Sequence, residues 1–152
     1  MKLAEALQER ADLNRKISQL KERIYCHVLV QEGEKPAEDP TLLLSELKES
    51  VSRLEYLIGK INYSNCTIKV DGATLTELIA KKDTLRVLYA AYRETLSAAS
   101  HSTDRARGSE IRIVSVVNVA ALRKEMDAVA KELRLVDNAI QQANWMFDLI
   151  EE

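Results

Sequence analysis

The last third of the chain carries an apolar heptad pattern, the sequence feature that most restricts the possible fold. Its apolar residues follow one another at alternating steps of three and four. This spacing places them on one stripe of a helix, along which helices pack at a shallow crossing angle. Asn118 precedes the pattern and is predicted to cap the helix. The stripe consists of Val119, Leu122, Met126, Val129, Leu133, Val136, Ile140, Ala143, Phe147 and Ile150.

Three earlier segments repeat the pattern and predict three more helices, which begin near Leu3, Thr41 and Thr74. Thr74 and Glu77 have the spacing of a capping box. Arg10 and His27 occupy stripe positions in the first helix, and Lys82 does so in the third. The second helix has the predicted stripe Leu44, Leu47, Val51, Leu54, Ile58 and Ile61, and the third has Leu75, Leu78, Leu85, Tyr89, Tyr92, Leu96 and Ala99.

The composition suits long helices joined by few turns, because only four Gly and two Pro occur in 152 residues. We therefore predict an all-α fold, a single helical-bundle domain of four long antiparallel helices over residues 1–152. Residues 67–70 and 111–117 are β-prone, which predicts a short β-ribbon or extended element in the connections. Either these two runs pair with each other, or the later run pairs with a neighbouring subunit.

The charge balance argues against several kinds of partner. The 22 basic and 24 acidic residues leave a net charge of −2, so no overall positive field attracts nucleic acid or an anionic membrane. No run approaches the ~18 apolar residues of a membrane-spanning helix. The first residues contain no apolar signal segment. We predict a cytoplasmic protein with no nucleic-acid partner and no stable membrane association.

The sequence contains no recognised catalytic motif. Phosphate-binding Gly-rich loops, nucleophile elbows and zinc-protease helices are all missing. Cys26 and Cys66 are interpreted as reduced structural thiols, and His27 and His101 as structural or surface residues. We predict no catalytic residue, no metal and no cofactor. A non-enzymatic role is favoured, and the enzyme question stays open.

Five polar residues outside the stripes form a candidate ligand site. Asn and Arg side chains hold anions through directional hydrogen bonds, and Arg does so with two parallel bonds. The simpler alternative is that the asparagines end a helix while the arginines pair with acidic residues of a neighbour. The candidate residues are Asn62, Asn65, Arg105, Arg107 and Glu110.

Apolar residues that do not fit the stripes predict self-association. The third helix is apolar on more than one face, and the fourth has Trp145 and Met146 beside its stripe. A bundle of this length offers few other places to bury them, which favours a homo-oligomer. The predicted subunit contacts are Tyr89, Tyr92, Ile111, Ile113, Trp145 and Met146.

Residues 61–86 and 107–145 resemble the septicolysin-like family of small bacterial helical proteins. The resemblance implies a helical-bundle homo-oligomer, with a hexamer as one candidate, whose biochemical role is uncharacterised. Its motifs are Asn62 with Asn65, the TLTELIAKKD opening of the third helix, Arg107 with Glu110, and Asn144 with Trp145.

Three functions follow from these observations, and the favoured one is a self-assembling structural or interaction protein. The alternative is binding of a small anionic ligand, or an unrecognised enzyme activity, at a polar site between helices or subunits. A membrane-active cytolysin, suggested by the family name, has the least support. Its transmembrane β-strands would need ~9–11 residues, which is longer than the β-prone run here.

Overall fold

The computed structural model describes residues 1–100 and 113–151, and these contain four long α-helices. A hairpin of two short strands, β1 (Lys69–Val70) and β2 (Ala73–Thr74), precedes the third helix. The predicted all-α class with a small extended element is confirmed. The helices are α1 (Leu3–His27), α2 (Pro40–Thr67), α3 (Leu75–Ser100) and α4 (Val119–Met146).

The chain divides into two compact units. The first unit comprises Met1–Ile68 together with Ala143–Glu152, and the second comprises Lys69–Gln142. Each unit contains one pair of helices that is described below. The prediction of a single domain over residues 1–152 stays a prediction.

Side-chain caps set the start of three helices at the predicted places. The Asp39 carboxylate accepts a hydrogen bond from the Thr41 amide at 2.8 Å, with Pro40 as the first helical residue of α2. The capping box of α3 is formed, since the Glu77 amide donates to Thr74 Oγ1 and the Thr74 amide donates to Glu77. At the start of α4, Asn118 Oδ1 accepts from the Ala121 amide at 3.0 Å.

The β-ribbon is local to the connection between α2 and α3. β1 and β2 pair antiparallel, with Lys69 opposite Thr74 and Val70 opposite Ala73. Asp71 and Gly72 have φ values of 49° and 89°, the left-handed conformation that a tight hairpin turn requires at both of its central residues. Residues 113–117, the described part of the later β-prone run, lie in no strand.

In the first unit, α1 and α2 pack antiparallel. Ion pairs join their surfaces at two levels, Glu9 with Arg53 and Lys16 with Glu46. Residue numbers therefore increase along α1 in the direction in which they decrease along α2. Arg23, near the end of α1, binds Glu38 in the connection that leads into α2. The helices bury an apolar seam that contains Leu3, Ala6, Leu20, Leu43, Leu57 and Ile61.

The face that α2 buries differs from the predicted one. The predicted stripe residues Leu44, Val51 and Ile58 are 51%, 46% and 41% exposed. The apolar arc of α2 is wider than one stripe, and two heptad patterns that differ by one residue share Leu47, Leu54 and Ile61. α1 covers one edge of the arc and leaves the other edge in water. The buried edge includes Leu43, Ser50, Leu57, Ile61 and Ser64.

The residues that follow α4, 147–151, are called the C-terminal tail, and they bind the rest of the first unit. The Leu149 amide donates to the Met1 carbonyl at 2.9 Å, and the Leu3 amide donates to the Phe147 carbonyl at 3.0 Å. The buried Ser64 hydroxyl accepts from the Ile150 amide at 2.9 Å. Backbone and side-chain bonds therefore anchor the tail at several points.

In the second unit, α3 and α4 are antiparallel, because hollows between them are lined by Tyr89 with Leu133 and, further along α3, by Leu96 with Met126. Both helices bury the predicted faces. Lys81 pairs with Glu132 at 2.6 Å, and Lys82 pairs with Asp137 at 3.0 Å. The predicted stripe residues of α3 are all buried or half-buried, and so are those of α4 as far as Ala143. α4 ends at Met146, so the predicted continuation of its stripe through residues 147 and 150 is wrong. The bonds of the C-terminal tail account for that end.

Candidate functional site

The structure locates only part of the predicted polar ligand site. Asn62 is exposed and Asn65 is half-buried, both in the last two turns of α2. Arg105, Arg107 and Glu110 lie outside the described residues. The predicted convergence of these five side chains therefore stays a prediction.

The predicted subunit contacts fall into two groups. Tyr89 and Tyr92 are half-buried on the α3 face that packs toward α4. The pKa of Tyr92 is raised, first because partial burial disfavours the phenolate and then because the Glu125 carboxylate lies beside it. Exposed apolar side chains form the second group, which contains Ile113, Trp145 and Met146. Ile111 lies outside the described residues.

The exposed edge of α2 forms a surface that the sequence pattern did not distinguish from the core. We call Leu44, Val51 and Ile58 the α2 stripe. Its members are seven residues apart and lie on one line along the helix, about 21 Å long. Lys48 and Glu55 flank the stripe on the side away from α1, since they are three residues before Val51 and four after it. Neither forms an ion pair with any residue that the structure describes.

An open hollow of about 620 Å³ borders the α2 stripe. Gly59 lies within it, and a Cβ atom added at Gly59 would meet nothing within 4 Å. The Tyr56 ring forms one wall, with the Arg53 guanidinium 5.3 Å and the Lys60 ammonium 6.0 Å from its centroid. The hollow is lined by Ser52, Glu55, Tyr56, Gly59, Lys60 and Tyr63.

A second hollow, the cationic groove, lies between α3 and α4 and has a volume of about 300 Å³. Lys82, the charged residue in the predicted α3 stripe, extends into it and is only 16% exposed. Its ammonium group lies 3.0 Å from Asp137 Oδ1, which supplies the opposite charge that a largely buried lysine requires. The groove is lined by Lys82, Arg86, Tyr89, Ala130, Leu133, Arg134 and Asp137.

The two arginines of the cationic groove are weakly paired. Arg86 contacts Asp83 at 3.8 Å, the outer limit of an ion pair, and both side chains are mostly exposed. Arg134 forms no ion pair within residues 1–100 and 113–151. The sequence signal was available, since Lys82 and Arg86 are four residues apart on one helix face. What the sequence lacked was the position of Arg134 opposite them.

The ion pairs of the first unit shift the acidity of their carboxyl groups. The Arg53 guanidinium donates to both Glu9 oxygens, at 2.7 and 2.9 Å, and holds the pKa of Glu9 below its usual value. Lys16 lowers the pKa of Glu46 in the same way, and Arg23 lowers that of Glu38. A carboxyl whose folded pKa is depressed stabilises the fold above its unfolded pKa. That stabilisation is lost as the pH falls through the folded pKa.

Acidification below about pH 4.5, near the pKa of an unfolded Glu, should therefore lower the melting temperature of the protein. Thermal unfolding followed by circular dichroism between about pH 3 and pH 7 measures this slope. Glu9→Gln removes one titrating carboxyl and should make the slope shallower. Glu49→Gln is the control, because Glu49 is exposed and forms no ion pair within the described residues. Equal slopes for the two variants would contradict the assignment.

Other chemical features of the described residues are few. No group of three or more His, Cys, Asp or Glu side chains there could hold a metal ion. Cys26 and Cys66 are exposed and are not joined by a disulfide. The His27 ring nitrogen Nδ1 lies 2.7 Å from the Arg23 carbonyl oxygen of its own helix. No stretch of the described helices combines the length and the apolar character that a membrane span requires.

Comparison with known proteins identifies relatives without an assigned role. A family of unknown function, DUF6847, matches residues 10–149. The chain is 34% identical to a functionally unknown conserved protein from Corynebacterium diphtheriae, whose crystal structure superimposes with a TM-score of 0.89. That similarity covers 99% of each chain. No curated protein matches the sequence.

Proposed function

The chain belongs to DUF6847, a family of unknown function, and we propose that this member is a self-assembling interaction protein. Its elementary subunit contact is an antiparallel pairing of two α2 helices. The observation that carries the proposal is the α2 stripe, three large apolar side chains on one helix line with about half of each surface in water. Burial of such side chains is the main driving force of association.

A second copy of the same chain is the partner that best fits the α2 stripe. Its seven-residue spacing is the repeat with which one helix packs against another in a coiled coil. A two-fold axis beside Val51 brings the two Val51 side chains together. The same axis sets Leu44 of each copy opposite Ile58 of the other, because both lie seven residues from Val51. Every apolar residue of the stripe then meets an apolar residue, as a self-complementary interface requires.

Charge complementarity favours the antiparallel direction of this pairing. Lys48 and Glu55 lie almost equally far from Val51, one on each side of it along the helix. Their seven-residue separation, about 10 Å of helix, is too long for a pair within one chain. An antiparallel two-fold axis places Lys48 of each copy beside Glu55 of the other. A parallel two-fold pairing instead places the Lys48 and Glu55 flank of one copy on the opposite side of the seam from that of the other, so these charges do not meet.

The hollow at Gly59 also supports a close helix partner. Glycine in a helix interior costs about 0.5–1 kcal/mol relative to alanine, and nothing within 4 Å of Gly59 in this chain requires its small size. A partner helix that approaches beside the stripe would use this space. Tyr56 and Tyr63 on the same border are aromatic residues of the kind enriched in interfaces.

Val51→Glu tests the proposal, because the variant places two carboxylates against each other at the two-fold axis. We expect the dissociation constant of the dimer to rise about 100-fold, the cost of burying and opposing two charges. Light scattering after size-exclusion chromatography should give at least twice the 17.2 kDa chain mass for the wild type and a smaller mass for the variant. Leu42→Glu, at an exposed position of α2 on the opposite face, should leave the dimer intact.

A charge swap tests the register. Lys48→Glu alone and Glu55→Lys alone each place like charges opposite each other twice per dimer, and each should weaken the dimer about fivefold to tenfold. The double variant restores both pairs and should recover the wild-type affinity. Failure of the double variant to recover would exclude this register. A wild-type chain that remains monomeric at about 100 μM would overturn the proposed function, because a dimer whose dissociation constant lies well below that concentration would have formed.

A larger assembly needs a second contact, since a two-fold interface alone closes at a dimer. Trp145 and Met146 supply a candidate, because both are exposed and adjacent at the end of α4. A hexamer, as the septicolysin-like resemblance implies, would combine the two contacts. Both the hexamer and the septicolysin-like assignment stay proposals.

A further inference from the structure

From the cationic groove between α3 and α4 we infer a binding site for a small organic anion, a carboxylate or phosphate ester on an apolar body. The inference is independent of self-assembly, because every residue of the groove belongs to the second unit. The groove volume of about 300 Å³ equals the lower end of the usual range for ligand pockets.

The charge of the groove favours an anion although the chain as a whole is negative. Lys82 and Asp137 are 3.0 Å apart and neutralise each other. Arg86 and Arg134 remain as surplus positive charges at the same hollow, with Asp83 as a weak competitor for Arg86. Each guanidinium presents a planar fork of donors that matches the two oxygens of a carboxylate or phosphate. Two forks on facing helices can hold one oxyanion.

The floor of the groove favours a ligand that also has an apolar part. Leu133 and the half-buried Tyr89 line the groove alongside Ala130. An aromatic or aliphatic group placed there is removed from water, while its anionic group meets the arginines. A bare inorganic ion would use the arginines alone and should bind more weakly.

Titration of the full-length, isotope-labelled chain with phenyl phosphate and with benzoate tests this inference by NMR. We expect saturable shifts at the amides of Ala130 and Leu133, with dissociation constants on the order of 0.1–1 mM for ligands of this size. Tighter binding of phenyl phosphate indicates a phosphate ester as the natural class, and tighter binding of benzoate indicates a carboxylate. Benzyl alcohol has the ring without the charge and should not bind saturably.

Variants of the groove give effects of opposite sign. Arg86→Gln combined with Arg134→Gln should weaken binding at least about tenfold, since two charge-assisted contacts are lost. Asp137→Asn should strengthen it several-fold, because the competing carboxylate is removed and Lys82 becomes available. Lys124→Gln combined with Lys131→Gln removes two exposed positive charges of α4 outside the groove and should have little effect.

Several results would overturn the inference. The first is the absence of saturable binding of either anion at about 10 mM, a concentration well above the expected dissociation constants. The second is binding of benzyl alcohol as tight as that of the anions. The third is a loss of anion affinity in the Lys124/Lys131 control as large as in the arginine variant. Weaker binding by Asp137→Asn would also contradict it. Circular dichroism of each variant checks that the fold is retained. We expect it to be retained in the arginine variant, because Arg86 and Arg134 are exposed.

Discussion

Replacing Leu57 with alanine should lower the free energy of unfolding of the first unit by about 3 kcal/mol, within the range for buried Leu→Ala substitutions. Leu57 is in the middle of α2 and is 0% exposed, on the edge of the apolar arc that packs against α1. The substitution removes apolar contacts and leaves a cavity that two rigid helices cannot close. Denaturation in urea, followed by far-ultraviolet circular dichroism, measures the change.

Leu42→Ala is the matched control for this substitution. Leu42 lies in the same helix and is 69% exposed, so the same chemical change should alter the free energy of unfolding by less than about 0.5 kcal/mol. The comparison also tests which edge of α2 is buried. If Val51→Ala destabilised the isolated monomer as much as Leu57→Ala does, the packing of α2 on α1 described above would be wrong.

A chain that ends at Phe147 should lose about 3 kcal/mol of stability in its first unit, because it lacks most of the C-terminal tail. The burial of Leu149 contributes about 2 kcal/mol of this. The truncation also removes the hydrogen bond that the Ile150 amide donates to the buried Ser64 hydroxyl, which costs about 1 kcal/mol more. Hydrogen exchange at the amides of residues 61–68 should increase accordingly.

Glu151→Ala is the control for the truncation, because Lys60 donates to the backbone carbonyl of Glu151 and not to its side chain. This substitution keeps the tail and should leave hydrogen exchange unchanged. In the full-length chain, Leu149→Ala should lower the free energy of unfolding of the first unit by about 2 kcal/mol, the larger part of the loss caused by the truncation. Wild-type protection in the truncated chain would mean that the tail does not stabilise the unit.

Local signals made most of the fold predictable. The capping box of Thr74 and Glu77, the Asn118 cap and the turn at Asp71 and Gly72 each involve residues within three positions of each other. Their hydrogen bonds and backbone angles depend little on the rest of the chain. The stripes of α3 and α4 were also predicted correctly as far as Ala143, because their apolar residues keep the heptad spacing over most of each helix.

The candidate sites were harder to predict, because each depends on residues from separate segments. Lys82 was recognisable as a charge in an apolar stripe, but its partner Asp137 is on another helix. Arg134 is brought to the groove only by the register of α4 on α3. The candidate site predicted at Asn62 and Asn65 relied on residue types alone, and its other three members lie outside the described residues.

The α2 helix shows what the sequence alone predicts and what depends on the tertiary structure. Its heptad period predicted a helix from about Thr41 with an apolar stripe that ends at Ile61, since helical hydrogen bonds and side-chain spacing repeat over a few residues. Only the tertiary structure decided that the edge with Leu57 faces α1 while the edge with Val51 faces water. Two overlapping stripes have the same period, and the choice between them is made by contacts with a helix that is distant in sequence.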